Sequence, residues 1–316
     1  MSEGLIDAER RQALKYLALG MAAPLIGCSS EPASAVASGP FDLIDGLGVQ
    51  ILLRTYPSAY HDWDRVHECL QFIGLRHIRA GAPQRGTAGY GLTEKAAAAG
   101  YKFTFTMRHN RDFDREIADL EHFAKDHPGS IEAVEGPNEI DHQPVSFGGI
   151  TDLKMQASTN PAAALAYQTA LYRAVKGSSV LQGVSVIAFS DFVQDRQDAD
   201  FSNTHIYPRN GKTFSSRIAG LHSRLDGAGR PIIITEVGFN SLPDAVPFAG
   251  TDEATQSALI GDLVDALPRA GVRRAFIFEL IDAYPPTRKM DTHFGLFRYN
   301  YTPKPAAEML HRLVQR

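Results

Sequence analysis

Short β-prone runs recur along this chain, and between them lie stretches with apolar residues at helical spacing. That alternation constrains the fold more than any other feature, because strand–helix–strand repeats build parallel sheets. Strand-like runs cover residues 46–53, 75–80, 101–107, 131–141, 184–189, 201–207, 231–237 and 272–280. The helix between the first two spans 63–73, with Val66, Leu70 and Ile73 on one face. Further helices are expected at 92–99, stopped by Gly100, and at 112–125, with Ile117, Leu120 and Phe123 on one face. Asn160-Pro161 reads as an N-cap followed by a first-turn proline. Helices also follow at 214–225, from Thr251-Asp252-Glu253 to Leu267, and at 305–314.

Eight strands alternating with helices fit an α/β fold of the (β/α)8 TIM barrel type better than an open doubly wound sheet. No Gly-rich phosphate loop follows a strand, and Gly46-Leu47-Gly48 precedes one, so a dinucleotide fold has little support. The segment from Asp141 to Asn160 is longer than barrel connections usually are and reads as a binding loop.

Charge and cysteine content narrow the function. A formal net charge of −4 gives no basic footprint for nucleic acid. Two cysteines, Cys28 and Cys69, exclude a disulfide scaffold. Residues 1–28 read as an export leader: Arg10-Arg11-Gln12-Ala13-Leu14-Lys15 resembles a twin-arginine signal, and a short apolar run follows it. That run ends in Leu25-Ile26-Gly27-Cys28, which resembles a lipobox. The resulting expectation is an exported monomer, periplasmic or anchored to a membrane only through a lipid at Cys28. Residues 29–42, rich in Ser, Ala and Pro, form a tether, and 43–316 form the catalytic domain. Cys69 is expected to be a buried helix residue.

In a closed barrel the reactive groups stand at the C-terminal strand ends. The polar residues there are Arg79, Asn138, Glu139, His205, Tyr207, Glu236 and Glu279. Glu139 ends the fourth strand in Ile131-Glu-Ala-Val-Glu-Gly-Pro-Asn-Glu139, and Glu236 ends the seventh in Pro231-Ile-Ile-Ile-Thr-Glu236. Two carboxyls on two strand ends suit a reaction that needs a proton donor and a nucleophile or base.

These residues resemble the clan A retaining glycoside hydrolases, which include cellulases, mannanases, β-xylosidases and β-galactosidases. The resemblance runs over about residues 43 to 316. It lies in the Asn138-Glu139 pair on strand four, Glu236 on strand seven, Arg79 on strand two and His205-x-Tyr207 on strand six. It implies a poly- or oligosaccharide substrate, with Glu139 as acid/base and Glu236 as nucleophile. Two departures stand out. Ile140-Asp141 follows the acid/base where proline is common, and the single tryptophan, Trp63, is not on strand eight, leaving Phe278 or Tyr284 as the stacking platform.

The implied roles carry electrostatic requirements. Glu139 must hold a proton near neutrality, so a desolvated site or the charge of Glu236 should raise its pKa. Arg79 and the Tyr207 hydroxyl should keep Glu236 ionised, Asn138 should meet a sugar hydroxyl, and His205 should orient the network. Glu279 and Tyr284 are substrate-binding candidates, joined by Asp282, Arg288, His293, His109 and Asn110 in the neighbouring loops. No cofactor and no metal are required. Two other classes compete: a non-catalytic carbohydrate-binding or polysaccharide-assembly protein, and a metal-dependent barrel ligated by Glu139, His205 and Glu236.

Overall fold

The computed structural model describes residues 42–53, 58–153, 161–190, 194–209, 212–218, 221, 225 and 229–315. The leader, Cys28 and Asn160 lie outside the described residues, as does all of the 29–42 tether except Asp42. Strands β1 (Leu47–Gln50), β2 (His77–Gly81), β3 (Lys102–Thr106) and β4 (Ile131–Glu135) are followed by a hairpin, β5 (Val145–Phe147) and β6 (Ile150–Asp152). Strands β7 (Ser185–Ile187), β8 (Ser202–Ile206), β9 (Ile232–Val237) and β10 (Val272–Ile277) complete the set. Apart from the hairpin, all pair in parallel in the order β7-β4-β3-β2-β1-β10-β9-β8. A parallel bridge between Ile187 and Phe201 joins the two edges, so the sheet closes as a (β/α)8 barrel.

Local signals explain where the helices begin and end. A one-turn helix, α1 (Leu43–Gly46), precedes β1. Helix α2 (Trp63–Ile73) starts where Asp62 accepts from Arg65 N and stops at Gly74, whose φ of 72° suits a residue without Cβ. It buries Val66, Leu70 and Ile73, and also Cys69, where burial pushes the thiol up to about 12. Helix α3 (Ala88–Ala98) begins four residues earlier than its alanine run suggests, because Thr87 caps it. Helix α4 (Phe113–Asp126) is capped by Asp112. Its Phe123 meets Phe103 and Phe105 edge-on beneath the sheet.

Helix α5 (Ala162–Gly177) corrects the Asn160 N-cap: Pro161 is the N-cap and supplies no side-chain bond. The missing acceptor comes from the hairpin, where Asp152 Oδ2 takes the Ala164 N–H at 3.0 Å. Helices α6 (Phe214–Ile218), α7 (Glu253–Ala270) and α8 (Pro305–Val314) follow, with α8 packed on α2 and α7.

Strand alternation sorts the barrel interior into layers. Ala133, Ile187, Ile233 and Phe276 form an apolar cluster apart from the main core. Gly48 has no side chain because Phe276 occupies that space: a Cβ there would meet its ring at 2.5 Å. Two residues further along β4 and β9, on the same faces, stand Glu135 and Thr235. The apolar layer therefore supports a polar one at the C-terminal end.

Candidate active site

The polar layer is centred on Arg79, which is only 1% exposed. In register it lies beside Gln50 of β1, whose side-chain oxygen accepts from Nη1 at 2.9 Å. Arg79 grips Glu135 with two parallel bonds, Nε to Oε2 at 2.6 Å and Nη2 to Oε1 at 2.9 Å. Nη1 also donates to Glu236, and Nη2 to Asn138 Oδ1 at 2.7 Å. Burial works against the guanidinium charge, but Glu135 and Glu236 overcome it and raise the Arg79 pKa.

Glu135 was not anticipated by the strand-end reading, yet no carboxylate in the layer is more enclosed. It is 0% exposed. Besides Arg79 it accepts from Thr235 Oγ1 at 3.1 Å and Asn203 Nδ2 at 3.2 Å. Burial alone would raise its pKa; Arg79 and His205 outweigh that and lower it from 4.5 to about 2. The only signal for it in the sequence is its spacing, two residues beyond inward-facing Ala133, whereas the strand's other acid, Glu132, alternates to the opposite face.

Glu236 sits in register with His205 of the adjacent strand. Arg79 donates to one of its oxygens and the Tyr207 hydroxyl to the other. Tyr207 consequently has its pKa raised, by burial first and then by the Glu236 charge. His205 Nδ1 lies 3.2 Å from Glu139 Oε1 and 3.6 Å from Glu236 Oε2, while Nε2 lies 3.1 Å from Thr235 Oγ1. Burial disfavours its positive charge, but Glu236, Glu135 and Glu139 together raise its pKa from 6.5 to about 10. The ring is therefore an imidazolium at neutral pH.

Glu139 is four residues beyond the end of β4, carried there by Gly136-Pro137-Asn138. Its backbone is left-handed, with φ of 44°. His142, the first exposed residue of the hairpin loop, lies with Nδ1 3.2 Å from the second Glu139 oxygen. The expected rise in the Glu139 pKa is not found. Burial pushes it up, but the His205 hydrogen bond and charge, aided by His142 and Arg79, lower it below 4.5.

The Glu139 side chain is the most accessible of the three, 30% exposed against 8% for Glu236 and 0% for Glu135.

Glu139, His205 and Glu236 each offer one atom within 4.8 Å of the others, a spacing that admits a metal ion. Both Glu236 oxygens already accept hydrogen bonds, one from Arg79 and one from Tyr207.

A cleft of about 800 Å³ opens over these groups. Arg79, Asn138, Glu139, Tyr207 and Glu236 line it, as do His109, Asn110 and Phe278. Phe278 packs edge-on against Tyr207 and Phe294. Glu279 and Tyr284 are not brought to the cleft. The Glu279 carboxylate turns into the core, 1% exposed, where the Tyr60 hydroxyl donates to it at 3.1 Å. Burial there raises its pKa well above 4.5. Tyr284 packs against the main core. Asp282 likewise is buried, holding Lys304 Nζ at 2.9 Å, while Arg288 pairs with Asp244 and His293 bonds Thr287 O.

Comparison with known proteins agrees with this architecture. The chain resembles the β-1,3-glucanosyltransferase of Rhizomucor miehei, solved as an active-site mutant with laminaritriose. Identity is 17% and the TM-score 0.59, over 83% of this chain and 96% of that one. It also resembles a GH5_18 protein of Streptomyces cattleya in complex with Manβ1-4GlcNAc, at 15% identity and TM-score 0.63, covering 86% and 80%. A GH128 endo-β-1,3-glucanase of Amycolatopsis mediterranei, bound to laminarihexaose, matches at 17% identity and TM-score 0.52, covering 85% and 99%. At such identities the likeness establishes the fold alone. No curated protein sequence matches significantly. The family pattern described as glycosyl hydrolase catalytic core extends over residues 93–289, from α3 through the loop after β10. With five of the strand-end groups converging under one cleft and that pattern across most of the barrel, the chain belongs to the glycosyl hydrolase catalytic core family.

Proposed function

We propose that this glycosyl hydrolase cleaves an O-glycosidic bond of a poly- or oligosaccharide with retention of anomeric configuration. The observation that carries the reading is the approach of the two carboxyls: one oxygen of Glu139 and one of Glu236 lie within 4.8 Å. That approach suits the roughly 5–5.5 Å separation of retaining enzymes better than the roughly 6.5–9.5 Å of inverting ones.

Glu236, ionised and held by Arg79 and Tyr207, attacks the anomeric carbon. Glu139 gives its proton to the glycosidic oxygen as that bond breaks, leaving a glycosyl ester on Glu236. A water then loses a proton to Glu139 and attacks the same carbon, which frees the sugar and restores Glu236. Filling the cleft displaces water from the exposed side of Glu139 and raises its pKa toward the protonated form. Asn138 is pre-aligned by chemistry: Arg79 has only donors, so the Asn138 oxygen faces it and the amide N–H2 faces the cleft for a sugar hydroxyl.

The stereochemistry is tested by following the first product by proton NMR before mutarotation, with Glu236→Gln as control. A first product of inverted configuration would sink the retaining assignment. Binding of glycans without turnover across a broad panel would favour the non-catalytic alternative. We also propose export with a lipid on Cys28, resting on the leader sequence. Metabolic labelling with palmitate should mark the native protein and not a Cys28→Ser form.

A further inference from the structure

The cleft continues into a second chamber, of about 470 Å³, that reaches Glu139 but not Glu236. Its other lining residues include Asp141, His142, Arg209, Lys212 and Arg217. Arg209 and Lys212 line both spaces, as do Glu139, His142 and Tyr207, so the chamber is a side arm of the cleft. All three cationic side chains belong to exposed residues. Among the described residues none of the three has a carboxylate within ion-pair distance, whereas both acids of the chamber are engaged. Glu139 faces His205 and His142, and Asp141 lies 3.6 Å from His142 Nε2. Arg209 is also held in place, its guanidinium carbon stacked 3.7 Å from the centroid of the Phe248 ring. Phe248 is itself 44% exposed and lines the cleft. An arginine pinned by stacking keeps its in-plane N–H groups free for a bidentate acceptor.

The sign of this patch runs against the chain, whose net charge is −4. Three cations without a carboxylate partner among the described residues, gathered at one arm of a sugar-binding cleft, are therefore an arrangement suited to an anion. The place of the arm in the reaction follows from its walls. The acid/base stands beside the glycosidic oxygen, so a chamber that touches Glu139 and not Glu236 lies on the leaving-group side of the scissile bond.

We infer that the substrate carries an anionic substituent, a carboxylate or a sulfate ester, on the leaving-group side of the scissile bond, and that Arg209, Lys212 and Arg217 hold it. The inference rests on the proposed role of Glu139 for the side of the bond, but the affinity for an anionic glycan does not depend on turnover.

The test is therefore a binding measurement on the Glu236→Gln protein. Affinity electrophoresis is run in a neutral β-1,3-glucan and a neutral β-1,4-glucan, in each polymer oxidised at C6 to the uronate, and in each sulfated at C6. An anionic form should bind about tenfold tighter than its neutral parent, equivalent to about 1.4 kcal/mol. The preference should shrink as salt rises from about 0.05 to about 0.5 M, because the screening length shortens. The uronate or the sulfate showing the larger preference identifies the group. Adding Arg209→Ala, Lys212→Ala and Arg217→Ala should abolish the preference. A control that removes three charges elsewhere, Lys95→Ala, Lys125→Ala and Arg312→Ala, should leave it intact. Equal binding of neutral and anionic polymers overturns the inference, as does binding of no anionic polymer. So does a preference that survives the triple change, or one that the control reduces equally. A protein that hydrolyses neutral glycans with retention yet ignores charge fails only this inference, and one that prefers anionic glycans without hydrolysis fails only the enzymatic reading.

Discussion

Arg79 and Glu135 form a fork-to-fork ion pair inside the barrel, with both carboxylate oxygens engaged and neither side chain more than 1% exposed. The pair sits one step below the proposed nucleophile and ties it to the barrel wall, since the same guanidinium also reaches Glu236 and Asn138. Rigidity at Glu236 is thus supplied in part by Glu135, which does not line the cleft.

Changing Glu135 to Gln should leave the buried Arg79 guanidinium with Glu236 as its remaining carboxylate partner among the described residues. Breaking one side of a buried pair typically costs about 3–5 kcal/mol. For a domain of this size that corresponds to a melting temperature lower by at least about 6 °C. Calorimetry measures it, and an unchanged transition would mean that Gln50, Asn138 and Glu236 suffice to hold Arg79.

Changing Glu236 to Gln should lower kcat by at least about a thousandfold in a protein that still folds. Steady-state kinetics on any substrate found active decides this. Retained turnover would remove Glu236 as nucleophile.

His205 should set the alkaline limb of the activity profile. It lowers the Glu139 pKa, so the free enzyme loses its acid at low pH and kcat/KM should favour acidic conditions. Replacing His205 with Asn removes that charge and hydrogen bond, and the limb should move to higher pH. A limb that stays in place or moves down would separate it from Glu139.

Stability should fall at both ends of the pH scale for different reasons. The folded Glu135 pKa is depressed from 4.5 to about 2, so its contribution is complete above 4.5 and fades as pH falls through about 2. The folded His205 pKa is raised from 6.5 to about 10, so its contribution is complete below 6.5 and is lost as pH rises through about 10. Melting temperatures measured across pH should form a plateau between 4.5 and 6.5 and decline on either side of it. The acid slope should flatten in Glu135→Gln and the alkaline slope in His205→Asn.

Asp152→Ala should destabilise by about 0.5–2 kcal/mol, the usual worth of an N-cap acceptor, because among the described residues the Pro161 N-cap supplies no side-chain bond of its own. An effect within error would assign the hairpin a role other than capping.

What was legible in the sequence was local. Helices α2 and α8 match their expected bounds because Asp62, Gly74 and Pro305 mark the ends within the segments themselves. The strand-end groups Arg79, Asn138, Glu139, His205, Tyr207 and Glu236 were legible because barrel geometry forces strand ends to one face. The α5 cap was not, since its acceptor is twelve residues upstream of Ala164. Nor was the hairpin, whose three-residue strands around Gly148-Gly149 are too short to show alternation. Glu135 and Glu279 mark the same limit from opposite sides. Both are acids near strand ends, and only the partners, Arg79 for one and Tyr60 for the other, decide that one braces the site and the other braces the core.

The left-handed backbone at Glu139 has a consequence for how this position is retained. A non-glycine residue there costs on the order of 1 kcal/mol that glycine would not incur. Selection for a sturdier barrel alone would drift toward glycine at this site. A lineage that kept the fold but lost its substrate should therefore discard this glutamate early and gain heat resistance in doing so.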